Sequence, residues 1–223
     1  SEFYPNNFYN VENGAAFNNI SARYYEVNLV HNKTVNSSIE LDKLTINSQG
    51  ALDISQNSSL KVLLDTNLNG GSITNNGILT FNSLTMNSGR INNFSDMNVS
   101  NDINIINGEL NTNGTIKGNN LTIDKGIVSG NGSVDFLNIT NYGTISPGEG
   151  INKSGQLLFI ADTNLTNESI IVIDISSENV SDKLSVEGSL FLNGSLHINS
   201  ISNFTRYSGN TSINFLSASQ YVG

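Results

Sequence analysis

The sequence predicts an all-β fold: a right-handed parallel β-helix with three short strands per coil and a C-terminal cap of β-strands and hairpins. The composition, a recurrent strand pattern and the repeat length predict it. Roughly forty of the 223 residues are Asn, and only 13% are charged. Asn is disfavoured inside helices and favoured in tight turns. Apolar residues make up 37% and are evenly spread, which favours a folded chain over a disordered Asn-rich tract.

Short triplets of alternating apolar and polar residues recur along the chain. They are Leu44-Thr45-Ile46, Leu84-Thr85-Met86, Ile103-Asn104-Ile105, Leu121-Thr122-Ile123 and Leu137-Asn138-Ile139. Alternation with period two predicts strands. A glycine and a second short strand follow several triplets, as in Gly89-Arg90-Ile91 and Gly108-Glu109-Leu110. With a further coil opening at Leu63-Leu64, the coils begin roughly 16 to 21 residues apart, a spacing typical of solenoids.

Three strands and three turns per repeat describe one coil of a triangular β-helix, with coils about 4.8 Å apart along the axis. We expect Leu84, Ile103, Leu121, Ile123 and Leu137 to point inward. Gly and Asn are expected at corners that need positive φ, and Asn at stacked corners is expected to form amide ladders. An antiparallel sandwich is the alternative. Its turns come every 8–12 residues, whereas turn signals come here about every six residues.

The pattern divides the chain into four segments. Residues 1–3, Ser-Glu-Phe, resemble a cloning scar and are excluded from fold reasoning. Residues 4–43 are rich in aromatic side chains, and their repeat is blurred, so we expect irregular or blurred coils there, or a side segment that packs on the helix. Residues 44–150 carry the regular coils. Longer apolar strands follow, and residues 151–223 are predicted to form the cap.

Several short motifs follow one another in the last third of the chain. The first is Gly143-Thr144-Ile145-Ser146-Pro147-Gly148. Pro147-Gly148 suits the central pair of a type II turn, with Ser146 held extended by the proline. The later motifs are Ser181-Asp182-Lys183-Leu184-Ser185-Val186-Glu187-Gly188, Leu192-Asn193-Gly194-Ser195-Leu196 and Ser212-Ile213-Asn214-Phe215-Leu216-Ser217-Ala218.

The residues of these motifs have structural interpretations. We expect Asp182 and Lys183, which precede Leu184, to form an exposed charge pair in a turn, contributing little to stability. Gly188 and Gly194 fit tight hairpin turns between antiparallel strands. Such hairpins would cover the open end of a parallel solenoid, which otherwise invites aggregation.

Over residues 143–218, the order of these motifs resembles the C-terminal passenger region of type V autotransporters of Gram-negative bacteria. The resemblance implies a non-catalytic, surface-exposed segment that acts as adhesin or stalk. It also implies an autochaperone, which folds first and nucleates the passenger during secretion across the outer membrane. The implied location is extracellular, either anchored at the bacterial cell surface or released.

The resemblance also implies partners. The first is the protein's own C-terminal outer-membrane β-barrel, absent from this fragment; others are host or bacterial surface receptors, or a second copy of the chain. Two alternatives remain open. In the first, the chain is a β-helix enzyme that acts on polysaccharides. In the second, it is the stalk of a secreted toxin whose active part lies outside this fragment.

Charge and cysteine content exclude other classes. The net charge is −9 and the isoelectric point is near 4.5. Arg occurs only at Arg23, Arg90 and Arg206, with no basic stripe, so we expect no nucleic-acid partner. The absence of cysteine removes thiol chemistry, disulfides and zinc ribbons.

We expect no catalytic residue. His31 and His197 lie in distant segments without a serine-protease nucleophile motif. The polysaccharide-enzyme alternative would place four aspartates on one face: Asp96, Asp102, Asp124 and Asp135. Basic partners for them are sparse, since Lys117 and Lys125 are the nearest lysines. Glycoside cleavage would need a carboxylate pair.

We expect no metal and no cofactor. The stretch Asp65-Thr66-Asn67-Leu68-Asn69-Gly70 matches four positions of an EF-hand loop. However, position twelve is Asn76 rather than Glu, and no helices are predicted to flank the stretch. It is interpreted as a β-helix corner.

Overall fold

The computed structural model describes residues 8–10, 24–148, 154–177, 180–200 and 213–222, which form nineteen strands and no helix. The strands are β1 (Phe8–Asn10), β2 (Tyr24–Leu29), β3 (Lys33–Val35), β4 (Ser38–Ile54), β5 (Ser59–Asn75), β6 (Ile78–Asn93), β7 (Asp96–Val99), β8 (Asp102–Ile105), β9 (Glu109–Thr112), β10 (Thr115–Ile123), β11 (Ile127–Gly130), β12 (Ser133–Asn141), β13 (Thr144–Pro147), β14 (Gln156–Leu165), β15 (Ile170–Ser177), β16 (Val180–Ser181), β17 (Lys183–Phe191), β18 (Ser195–Ser200) and β19 (Leu216–Val222). None of the described residues belongs to a helix long and apolar enough to cross a membrane.

Strand β5 shows how one coil is built. It pairs in parallel with β4 on one side and with β6 on the other. Its pairing with β4 runs through three straight stretches, residues 59–62, 66–70 and 72–75, separated by register shifts at two corners. These stretches, with those stacked above and below them, are called faces 1, 2 and 3.

The coils repeat at nearly constant length. The equivalent residues of face 1 are 18 to 21 positions apart; they are Ile39, Leu60, Leu79, Met97, Ile116 and Val134. The fold is a parallel β-solenoid of about six turns, consistent with the predicted right-handed β-helix. Backbone hydrogen bonds therefore run along the axis, and successive coils lie about 4.8 Å apart.

The inward side chains of the three faces form one continuous apolar core. Leu84, Ile103 and Ile123 are fully buried and Leu121 is 1% exposed, so these four predictions are confirmed. Each such side chain contributes roughly 1.5–3 kcal/mol by leaving water.

The prediction for Leu137 is wrong, because this side chain is 69% exposed. Phe136 and Ile139, its neighbours in β12, point inward instead. Two consecutive residues face outward at this corner, which breaks the period of two. Phe136 is paired with Gly118 of the preceding coil, and its ring occupies the space that a side chain at Gly118 would fill.

A column of glycines follows the corner between faces 2 and 3. Gly71, Gly89 and Gly108 all have positive φ, between 63° and 98°. A Cβ on Gly108 would lie 2.4 Å from the carbonyl oxygen of Gly89, and one on Gly89 would lie 2.6 Å from that of Gly71. The corner therefore needs glycine both for its conformation and for the close approach of the next coil.

Amide ladders between coils form as predicted. In the core, Asn75 donates to Asn93 at 2.8 Å. On the surface, Asn87 donates to Asn69 at 2.7 Å, and Asn138 donates to Asn120 at 3.1 Å. Each ladder satisfies side-chain amides at a position where the backbone turns.

Parallel stacking is already present before residue 44, in the segment where irregular or blurred coils were expected. Residues 24–29 pair in parallel with β4, and Lys33–Val35 pairs in parallel with Leu52–Ile54. Even β1 pairs in parallel with β2. The segments 1–7 and 11–23, which include the predicted scar, lie outside the described residues.

The C-terminal section continues the solenoid. Strands β14, β17 and β19 stack in parallel on faces 1 and 2, and β18 stacks in parallel on β15. Among the residues of this section that the structure describes, β15 pairs with β16 in an antiparallel hairpin. Its coils are longer than those before residue 148: Phe159 pairs with Val186, 27 positions on.

Candidate functional site

The Gly143–Gly148 corner lies entirely within the described residues. Gly143 donates its N–H to Asn141 Oδ1 at 3.1 Å, and its carbonyl accepts from the N–H of Ile170 at 2.9 Å. Ser146 and Pro147 are extended in β13. Gly148 has a φ of 92°, as the third position of a type II turn requires. It exchanges backbone hydrogen bonds of 2.8 and 3.0 Å with Gly130, whereas residues 149 and 150 lie outside the described part.

The prediction of an exposed Asp182–Lys183 charge pair is wrong. Asp182 is fully buried, and its carboxylate accepts backbone N–H groups from Gly155 at 2.8 Å and from Asp174 at 3.0 Å. The backbone N–H of Asp182 donates to the carbonyl of Asp174 at 2.9 Å. One carboxylate thus ties together three segments of the chain. We call this arrangement the Asp182 clamp.

The environment of Asp182 disfavours its charged form. Burial raises the pKa of this carboxyl above its usual range. The two backbone hydrogen bonds, from Asp174 and Gly155, act in the opposite direction, and the nearby Asp174 carboxylate raises the pKa further. Asp174 is itself 4% exposed and accepts a hydrogen bond from Asn199 Nδ2 at 2.9 Å.

The residues that follow Asp182 belong to the stack. The N–H of Lys183 donates to the carbonyl of Gly155 at 2.8 Å. Leu184 is fully buried and pairs with Leu157 on one side and Leu216 on the other.

Gly188 and Gly194 do not form the predicted hairpin turns, because the strands around them pair in parallel. Both occupy corners where coils approach closely. A Cβ on Gly188 would lie 2.2 Å from the carbonyl oxygen of Ala161, and one on Gly194 would lie 2.3 Å from that of Ser169. The two glycines therefore mark tight turns, as the sequence indicated, but these turns are corners of the solenoid rather than hairpin turns.

The residues considered for catalysis or metal binding do not converge. His31 precedes β3 at one end of the stack, and His197 lies in β18 at the other. Asp96 and Asp135 lie on face 1, and Asp135 pairs with Lys117 at 3.1 Å. Among the described residues, no group of three His, Cys, Asp or Glu side chains lies close enough to hold a metal ion.

Asp102 and Asp124 lie away from face 1. Asp102 opens the face 2 strand β8 and accepts a hydrogen bond from Asn120 at 2.8 Å, and Asp124 follows β10 at the next corner. The four aspartates considered for an enzyme are therefore divided between two faces and a corner.

The EF-hand-like stretch is part of strand β5. Alternate residues of a strand point to the same side about 6.6 Å apart, so Asp65, Asn67 and Asn69 do not wrap around one ion. Asp65 accepts a hydrogen bond from Ser83 at 3.0 Å, and Asn69 accepts from Asn87 at 2.7 Å. These are contacts between coils, as expected for the surface of a solenoid.

A groove of about 590 Å³ runs along face 3. Its walls come from β6, β9, β11, β13 and β15, which are five successive coils. The lining residues are Arg90, Asn92, Phe94, Glu109, Asn111, Ile127, Ser129, Thr144, Ser146, Gly148 and Val172. Most of them are outward residues of the face 3 strands, which stack in register.

The polar residues of the groove form a connected network. The Arg90 guanidinium pairs with Glu109 at 3.3 Å, and its Nε donates to Asn92 Oδ1 at 2.8 Å. The second carboxylate oxygen of Glu109 accepts from the hydroxyl of Ser129 at 2.8 Å. Asn111 Nδ2 donates to the same hydroxyl at 2.9 Å. The network holds these side chains in defined positions.

The groove also has apolar walls. Phe94 is 49% exposed at its edge, and Ile127 is 38% exposed. Asn111 and Ser129 point outward, yet each is only 6% exposed. They therefore lie at the floor of the groove rather than on an open surface.

Sequence reasoning missed this groove. One signal was present, because Arg90 and Glu109 occupy the same position after a glycine in successive repeats. Aligning the repeats on those glycines would have paired the two charges.

We compared the chain with protein-family models, with curated proteins and with solved structures, and none of the three comparisons finds a match.

Proposed function

We propose that this chain is a non-catalytic segment of an autotransporter passenger, exposed at the bacterial cell surface. In this proposal it serves as an adhesive stalk and as the folding nucleus of the passenger during secretion across the outer membrane. The observation that carries the proposal is the Asp182 clamp, because it joins Gly155, Asp174 and Asp182 within the region that carries the motifs. The proposed partners are the chain's own outer-membrane barrel and a surface receptor.

The solenoid geometry supports a role as a stalk. Parallel stacking extends from Tyr24 to Val222 through the described strands, and each coil adds about 4.8 Å along the axis. Each coil contacts mainly its neighbours, so length can grow without a larger core. Such a rod can hold a distal region away from a membrane.

Local contacts in the C-terminal section support a role in nucleation. The antiparallel pairing of Ile175 with Ser181 closes a loop of only a few residues, which costs less entropy than stacking distant coils. The clamp carboxylate then joins this hairpin to Gly155. Once formed, the unit offers β14, which itself pairs with β17, as the edge on which the upstream strand β12 can stack.

Limited proteolysis in rising urea tests the nucleation step. We expect a surviving C-terminal fragment that contains Leu184 and Leu196, while the upstream coils are digested. Survival of the N-terminal half instead would contradict the proposal.

An export assay tests the function. The chain is fused to an autotransporter barrel in a Gram-negative host, and the protease-resistant passenger on intact cells is measured. Asp182→Ala leaves the buried N–H of Asp174 without its acceptor, which costs about 1–3 kcal/mol, and leaves the partly buried N–H of Gly155 unpaired at a smaller cost. We expect less folded passenger at the surface from this variant.

Asp135→Ala is the matched control, because it removes a partly exposed ion pair with Lys117, worth at most about 1 kcal/mol. Equal display of the two variants, or no display of the unsubstituted chain, would refute the proposed role in secretion.

A further inference from the structure

We propose that the groove on face 3 binds a linear, neutral oligosaccharide lying along the solenoid axis. The inference deepens the adhesive part of the proposed function by naming a ligand class. The geometry of the groove is the same whether or not the chain is secreted. The volume of about 590 Å³ is within the usual range of ligand sites.

The shape of the groove favours an elongated ligand. Its lining residues come from five successive coils, from Arg90 and Asn92 in β6 to Val172 in β15. Four steps of about 4.8 Å give a length of roughly 19 Å. Equivalent residues such as Asn92, Asn111 and Ser129 repeat along this length in register.

The chemistry of the groove suits hydroxyl groups. Sugar hydroxyls both donate and accept hydrogen bonds, and the lining offers guanidinium and amide donors beside amide, hydroxyl and carboxylate acceptors. Asn92 uses its oxygen for Arg90, and Asn111 uses its nitrogen for Ser129. Each amide keeps further hydrogen-bonding capacity for a ligand. Phe94 at the edge offers an aromatic surface on which the C–H face of a sugar ring can pack.

Charge favours a neutral saccharide over an anionic one. Arg90 and Glu109 neutralise each other inside the groove. The chain as a whole carries a net charge of −9, which repels polyanions. Arg90 has no second basic side chain beside it among the lining residues that the structure describes.

Two other occupants fit less well. A peptide that binds by strand addition needs an exposed sheet edge, whereas the face 3 strands β9 and β11 are paired on both sides. A saccharide to be cleaved would need two carboxylates flanking the bond. Glu109 is the single carboxylate among the described lining residues, and both its oxygens are engaged. The groove therefore fits binding without hydrolysis.

The test is isothermal titration of the purified chain with maltohexaose, mannohexaose, xylohexaose and chitohexaose, and with hexagalacturonate as the anionic probe. We expect saturable binding of at least one neutral probe and weaker binding of hexagalacturonate. Phe94→Ala should weaken that binding by up to about tenfold. Phe191→Ala is the matched control, because Phe191 is 42% exposed and lies outside the groove. It should leave the affinity within about twofold.

Circular dichroism and urea midpoints of both variants show whether each is folded. The inference is overturned if no neutral probe saturates, if hexagalacturonate binds best, or if the two Phe variants behave alike. Normal surface display with no saccharide binding would remove the ligand class and leave the proposed role in secretion standing. Saccharide binding without surface display would refute the proposed role in secretion and leave the ligand class standing.

Discussion

Truncating Ile139 tests the register of the stack at the point where the alternating pattern misleads. Ile139 is fully buried, and it stacks between Leu121 and Thr163 of the neighbouring coils. Ile139→Ala removes three carbon atoms, worth about 2.4 kcal/mol at about 0.8 kcal/mol each. The remaining cavity adds to this loss, so the expected destabilisation is about 2.5–5 kcal/mol.

The matched control is Leu137→Ala, which removes the same number of carbon atoms two residues away. Leu137 is 69% exposed, so only about a third of that transfer energy applies. We expect a loss of no more than about 0.8 kcal/mol.

The assay is equilibrium unfolding in urea, followed by circular dichroism, for both variants and the unsubstituted chain. Comparison of midpoints requires equal slopes, since a changed slope would mean that a different part of the solenoid unfolds. If Leu137→Ala destabilises the chain as much as Ile139→Ala, Leu137 points inward and the register described for β12 is wrong.

Three further outcomes are expected. Thr66→Val should raise stability by about 1 kcal/mol in urea unfolding, because Thr66 is 1% exposed and, within the described residues, its hydroxyl has no hydrogen-bond partner. Thr163→Val, which removes a hydroxyl that donates to a carbonyl, should give no gain, and an equal gain would refute the reasoning. Burial raises the pKa of Asp182, so above about pH 4 the native state binds more protons than the unfolded state. This group therefore makes the free energy of unfolding fall as the pH rises, until the pH passes the pKa of the folded state. Asp182→Asn should remove that part of the slope in urea midpoints measured from pH 4 to 7, and an unchanged slope would contradict it. A chelator should leave the melting temperature unchanged, because Asp65 and Asn69 lie in an extended strand, and a clear drop would indicate a bound ion.

The fold was predictable because inward residues alternate within each short strand. Leu84, Ile103 and Leu121 follow this rule, and each lies in the interior of its face. The prediction that Leu137 points inward fails because the number of outward residues at a corner depends on how the neighbouring coil packs. Here the ring of Phe136 fills the space beside Gly118, a contact 18 positions away that a window of a few residues cannot detect.

The candidate site was less predictable for the same reason. The burial of Asp182 depends on backbone groups of Gly155 and Asp174, which lie 27 and 8 positions away. A charged residue among serines and glycines resembles an exposed turn until those partners are known. The groove brings together Arg90, Glu109 and Ser129 from three coils, so it becomes visible only after the repeats are aligned.

The glycine column has a consequence for how such a chain can change in length. Gly71, Gly89, Gly108 and Gly126 are 18 or 19 positions apart, so one period carries one corner glycine. An in-frame duplication of that period would reproduce the glycine, the corner and the inward residues together. It would lengthen the rod by about 4.8 Å and leave every interface between coils of the same kind. An insertion of half that length would place a side chain against the carbonyl of the preceding coil, so viable length variants should differ by whole periods.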